Sequence, residues 1–107
     1  MRIAFDELPW QSAPSGARFK MQRAGAHQLW LFEFTPELVH PHWSETGHVG
    51  IVLEGTMEVA FDGREPVTFK EGDGVSIPGG KADRHRPRAV TDRVRVVFVE
   101  PAGTEPA

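Results

Sequence analysis

Cysteine is absent from the 107 residues, and with it go disulfides, thiolate nucleophiles and zinc ribbons. Any metal in this chain must therefore be held by His, Asp or Glu. Tyrosine is absent too, so no phenol serves as acid or base. No apolar run approaches the ~18 residues that a membrane helix needs. Met1–Trp10 carries acids and no apolar block, unlike a secretory signal. With neither leader nor disulfide, the expected location is cytoplasmic, with no membrane partner. Neither sign of charge dominates: 12 Lys and Arg stand against 15 Asp and Glu, a net −3, which gives no global pull towards nucleic acid. Helical periodicity is nearly missing as well. Its best stretch, Ala4–Leu8, runs into Pro9 and is short.

What remains is strand and turn. Glycine (11) and proline (9) are scattered at short intervals rather than clustered, the pattern of turns between short strands. Strands are expected at Gln28–Phe34, His48–Leu53, Thr56–Phe61, Val67–Phe69, Val75–Ile77 and Val94–Val99. Asp62-Gly63 joins two of them as a hairpin turn, because both central positions accept positive φ. Residues Pro9–Gly16 read as a loop bearing Trp10, and Pro101–Ala107 as a frayed tail. Turns every 8–12 residues without an intervening helix favour an antiparallel sandwich or barrel, and the length favours one domain over residues 1–107. His48–Leu53 and Val94–Val99 are apolar on both faces, which requires cover on both. A second subunit is the expected cover, making a homodimer.

The chemistry is concentrated in histidine. Of five, His27, His40, His42, His48 and His85, three fall within His40-Pro41-His42-Trp43-Ser44-Glu45-Thr46-Gly47-His48. On a strand, positions i and i+2 share a face, so His40 and His42 would present two imidazoles side by side. A turn at Ser44–Gly47 would then bring His48 opposite them across a ladder. Three imidazoles converging from a hairpin can fill three sites of a divalent metal's shell. Pro41 donates no amide hydrogen, which puts this strand at an edge or a barrel mouth.

These residues resemble the two motifs of a small cupin, and the resemblance covers about residues 32–99. The first family motif, G-x5-H-x-H-x3,4-E-x6-G, is similar to His40-Pro41-His42 followed by Val52-Leu53-Glu54-Gly55, with His48 in the register of the glutamate. The second, G-x5-P-x-G-x2-H-x3-N, is similar to Gly72-Asp73-Gly74-Val75-Ser76-Ile77-Pro78-Gly79-Gly80. There Asp83 occupies the register of the histidine, and His85 lies two residues on. Phe34 stands where the first motif has its opening glycine. The His42–His48 gap is one residue longer than the pattern.

The resemblance implies an all-β, antiparallel double-stranded β-helix, the jelly-roll cupin barrel. It also implies a divalent transition metal (Zn, Fe, Mn, Ni or Cu) held by His40, His42, His48 and His85. Glu45 and Asp83 are rival carboxylate ligands. Four neutral imidazoles leave the +2 charge uncompensated, so such a site prefers Ni, Cu, Zn or Fe over Mg or Ca and attracts an anion or hydroxide. The function implied is a metal-dependent enzyme, of oxygenase or isomerase type, acting on a small molecule, anions included. Its alternative is a non-catalytic module that binds or senses a metal or small ligand. Asp83, Glu45 and Glu33 are the candidates for proton transfer, Glu33 provided that it points into the barrel. Six of the twelve basic residues lie between Lys81 and Arg95; alternation sends Arg84, Arg86 and Arg88 away from His85, to a solvated face. His27 reads as a surface or structural residue. Trp43 reads as a wall of the pocket mouth or a cover for a dimer seam.

Overall fold

Glycine-marked turns and alternating apolar residues divide the chain into strands. A computed structural model describes residues 1–106. After a 3-10 turn at Phe5–Glu7 come β1 (Gln11–Ser12), β2 (Arg18–Ala24), β3 (His27–Phe34), β4 (His48–Glu54) and β5 (Met57–Phe61). They are followed by β6 (Arg64–Phe69), β7 (Gly74–Ile77), a second 3-10 turn at Lys81–Asp83, β8 (His85–Ala89) and β9 (Val94–Pro101). All named pairings are antiparallel. Six strands form one sheet in the order β1-β2-β3-β9-β4-β7, and three form another in the order β6-β5-β8. This is the all-β jelly-roll architecture that the turn spacing and the motifs imply.

Alternation decides which side of each strand is buried. In β5, Met57, Val59 and Phe61 point inward; in β9, Val94, Val96 and Phe98 do so. Trp30, Val52 and Val75 add to this core from the larger sheet and Ala89 from the smaller, so the core lies between the sheets. Gly63, with φ of 79°, makes the β5–β6 turn that Asp62-Gly63 predicts. Gly50 is needed for a different reason. A Cβ there would come within 1.8 Å of the Val97 carbonyl oxygen, where β4 lies against β9.

Three local expectations are corrected. His40-Pro41-His42 is not a strand: residues 35–47 carry no ladder beyond a single Ser44–His85 bridge. Pro36 and Pro41 remove two amide donors from this segment. His48 accordingly pairs with Ile77 of β7, and no ladder joins it to His40 and His42. The run from His85 to Ala89, where no strand was expected, is strand β8, with His85 buried and Arg88 outward as alternation places them. It tolerates Pro87 because it is an edge of the smaller sheet. Finally, β2 and the short β1 stand where no strand was expected.

Candidate metal centre

The barrel interior holds a cavity of about 60 Å³. Its walls are almost entirely apolar, with Phe34, Met57, Val59, Ile77 and Phe98 among them. Its polar groups are His40, His48 and His85, with the hydroxyls of Ser15 and Ser44. Each imidazole arrives from a different part of the fold. His85 opens β8 and is tied by its backbone to Ser44 in both directions, at 2.8 and 2.9 Å. His48 opens β4, paired with Ile77 of β7. His40 stands on the irregular segment between β3 and β4.

Two of the rings are fixed in orientation. His85 Nδ1 lies 2.9 Å from the Asp83 carbonyl oxygen. A carbonyl only accepts, so Nδ1 carries the proton and Nε2 is left with its lone pair. That Nε2 is buried and has no hydrogen-bond partner; among the described residues it shares this condition only with Trp30 Nε1. His48 Nδ1 donates to Glu100 Oε1 at 2.6 Å, so in the neutral ring the lone pair lies on Nε2. The His48 ring stacks on Phe98 with centroids 4.3 Å apart. It meets the His85 ring edge-on at 5.5 Å. Burial holds the His85 imidazole below its ordinary pKa; the hydrogen bond to Asp83 opposes this, and the neighbouring His48 adds to it. Burial also lowers His40, helped by His85. Both are therefore neutral bases at neutral pH, the form in which imidazole binds a metal.

The other sequence candidates lie elsewhere. His42 is exposed and outside the cavity lining. Glu45 is exposed, and its backbone carbonyl accepts from Gly80 N–H. The Asp83 carboxylate pairs with Arg64 at 2.9 Å; only its backbone serves the site. Glu33 is buried, but it does not line the cavity: it lies between Arg18 at 2.6 Å and Arg95 at 2.7 Å. Arg84 and Arg88 pair with Asp62 and Glu58. Arg86 lies over the Trp43 ring, 3.9 Å from its centroid, and neither lines the cavity. His27 is exposed. The residue that sequence reasoning missed is Glu100. Its signal was a carboxylate at the inward register of β9, two residues beyond Phe98.

Among the described residues, no three His, Asp or Glu side chains stand close enough to hold one ion. The donors that are present nonetheless suit a divalent transition metal in their chemistry. His48 and His85 line one cavity, and the Nε2 of His85 is buried without a partner. Imidazoles bound to one metal at about 2.0–2.1 Å commonly have their other nitrogen tied to a carboxylate or carbonyl, as it is in both rings here.

Residues 30–100 match the family model described as cupin domain. The chain belongs to the cupin family. No curated protein matches it. Solved cupin structures do. A cupin-2 domain containing protein from Shewanella frigidimarina NCIMB 400 is 27% identical, with a TM-score of 0.64 over 85% of this chain and 83% of that one. KdgF from Halomonas sp. is 22% identical, with a TM-score of 0.73 over 92% of each chain. FeII HppE is 11% identical, with a TM-score of 0.69 over 94% of this cupin and 59% of that chain. At these identities the last two speak for the fold alone.

Proposed function

We propose that this cupin binds a divalent transition metal at the histidine end of its cavity and there takes a small molecule through an oxygen atom. In this reading His48 and His85 are two donors, through Nε2. His40 is the third, brought in by the irregular segment that carries it. His42 lies on that same segment, and the segment must turn to bring it to the cavity. The observation that carries the reading is the buried, unpartnered Nε2 of His85. A buried polar atom left without a partner costs about 1–3 kcal/mol, and a metal supplies the missing bond. A structure of similar fold, HppE, is described as an FeII form, which supports a first-row metal in this reading.

Bound there, the metal supplies a Lewis acid for an oxygen-bearing ligand. The protein's own part is to hold two bare nitrogens in place and to exclude water with apolar walls. No Lys or Arg lines the cavity, so the metal carries the positive charge that draws an anion. The reading extends to an enzyme of oxygenase or isomerase type acting on such a molecule. The structure favours none of the proton-transfer candidates, Glu33, Glu45 and Asp83, over the others by proximity. A module that senses metal without catalysis uses the same donors.

Uptake of zinc and cobalt(II) by purified protein, measured by titration calorimetry and elemental analysis, tests the metal. One ion per chain is expected, with at least a tenfold loss of affinity in His85→Ala. The His42→Ala variant is expected to retain the metal. Equal, stoichiometric uptake by wild type and His85→Ala would overturn this ligand set. Turnover of small carboxylates, enols or diketones by the iron(II)-loaded protein under oxygen then separates enzyme from sensor.

A further inference from the structure

Glu100 is 4% exposed and stands at the end of β9. Fifty-two residues separate it from His48, and only the β4–β9 pairing brings the two together. A buried carboxylate bonded to a largely buried imidazole is a weak device for stability, because desolvation of the pair offsets its attraction. Packing alone would be served as well by two apolar side chains. What the pair does provide is direction. A neutral His48 that donates its Nδ1–H to Glu100 carries its lone pair on Nε2.

We infer that Glu100 is the positioning residue of this cavity: its carboxylate fixes His48 as an Nε2 donor and puts one negative charge a single ring away from the bound cation. This role has a specific electrostatic consequence. Three neutral imidazoles leave a +2 ion wholly uncompensated in an apolar cavity. Glu100 returns one unit of charge through the imidazole it touches and raises that ligand's basicity. His85 lacks such help, since its Nδ1 partner is the neutral Asp83 carbonyl. The two rings are thus unequal donors, and His48 is the stronger.

The inference rests on the metal reading for affinity and on geometry alone for the tautomer, so two measurements keep them apart. The first is the 15N spectrum of the imidazoles in the metal-free full chain, compared among wild type, Glu100→Gln and Glu100→Ala. A protonated Nδ1 and a bare Nε2 at His48 are expected in wild type. Glu100→Gln should keep them, because the amide oxygen still accepts; Glu100→Ala should mix the tautomers. The second is zinc and cobalt(II) titration of the same three proteins. A 10–100-fold loss of affinity is expected in Glu100→Ala, and a smaller loss in Glu100→Gln, which keeps orientation but not charge. Glu33→Gln, a change to a buried acid away from the cavity, should bind zinc as wild type does. An unchanged His48 tautomer in Glu100→Ala overturns the inference, as does wild-type zinc affinity in that variant. If wild type itself takes up neither metal, the metal reading fails. The 15N comparison then still decides the positioning role.

Discussion

At the scale of single residues, the two buried acids of this cupin are placed for different purposes. Glu100 meets an imidazole at the cavity. Glu33 meets two guanidinium groups on the opposite face of the larger sheet, where Arg18 also covers the Trp10 ring at 4.1 Å. Burial alone would push the Glu33 carboxyl up, but the hydrogen bonds and charges of Arg95 and Arg18 together outweigh it, and the net shift is downward. A carboxyl held below its ordinary value of 4.5 binds a proton more readily in the unfolded chain. Its stabilisation is therefore complete above that value and lost as the pH falls through the lower, folded-state value. Glu33→Ala is expected to lose about 2 kcal/mol at pH 7, in the range of hydrogen bonds to a charged group, with Arg18 and Arg95 half-exposed and so partly rescued by water. Glu33→Gln should lack the Glu33 part of the acid limb. Urea unfolding from pH 7 down to pH 3 reads both effects. Parallel pH profiles for wild type and Glu33→Gln would show that this carboxyl is not linked to folding.

At the scale of elements, the pairing of β4 with β9 is the structural hinge of the site, since it sets His48 against Glu100. Gly50 permits that pairing. Because the obstacle to a side chain there is the Val97 backbone and not a movable side chain, Gly50→Ala is expected to cost about 3 kcal/mol, the upper end for overpacking. It should also loosen the His48–Glu100 contact, visible as a shift in the His48 ring signals. A loss under about 1 kcal/mol would mean that β4 and β9 slide apart easily. The central strands were legible because Val, Ile and Phe alternate between marked turns. β2 was overlooked although Phe19 and Met21 alternate with Arg18, Lys20 and Gln22: its apolar residues are only two, and long basic side chains flank them. β8 was hidden by Pro87 and its arginines, which are features of an edge. Of the site, the histidines were legible as residue types. His40-Pro41-His42 could not be placed by strand alternation, because two prolines had removed the strand. Glu100 was beyond local reading, since its partner is brought near by topology alone.

For the whole molecule, the two halves of the larger sheet's outer face differ. The N-terminal segment covers the β2–β3 half, where Lys20 Nζ reaches the Phe5 carbonyl at 2.8 Å and Trp10 lies beside Arg18 and Lys20. Among the described residues, none covers the β4–β9 half in this way. Val49 is 60% exposed, Leu53 48%, Ile51 43% and Val99 40%, and Ile51 stands directly opposite Val97. The described helical pieces are two turns of three residues each, too short to shield a sheet. The outward positions of β4 from Val49 to Leu53, and Val97 and Val99 beside them, are aliphatic, so a two-fold-related copy would meet this face without burying an unpaired charge. The expected homodimer is therefore proposed to form here. Sedimentation equilibrium at micromolar concentration should return twice the chain mass for wild type and the single-chain mass for Ile51→Lys. Val67→Lys, on the exposed strand β6 of the other sheet, should remain dimeric. A monomeric wild type would remove the second copy as the cover for β4 and β9. A dimer that survives Ile51→Lys would place the contact on another face. In either case the cavity, which is lined from both sheets and by none of these outward residues, keeps its three imidazoles within one chain.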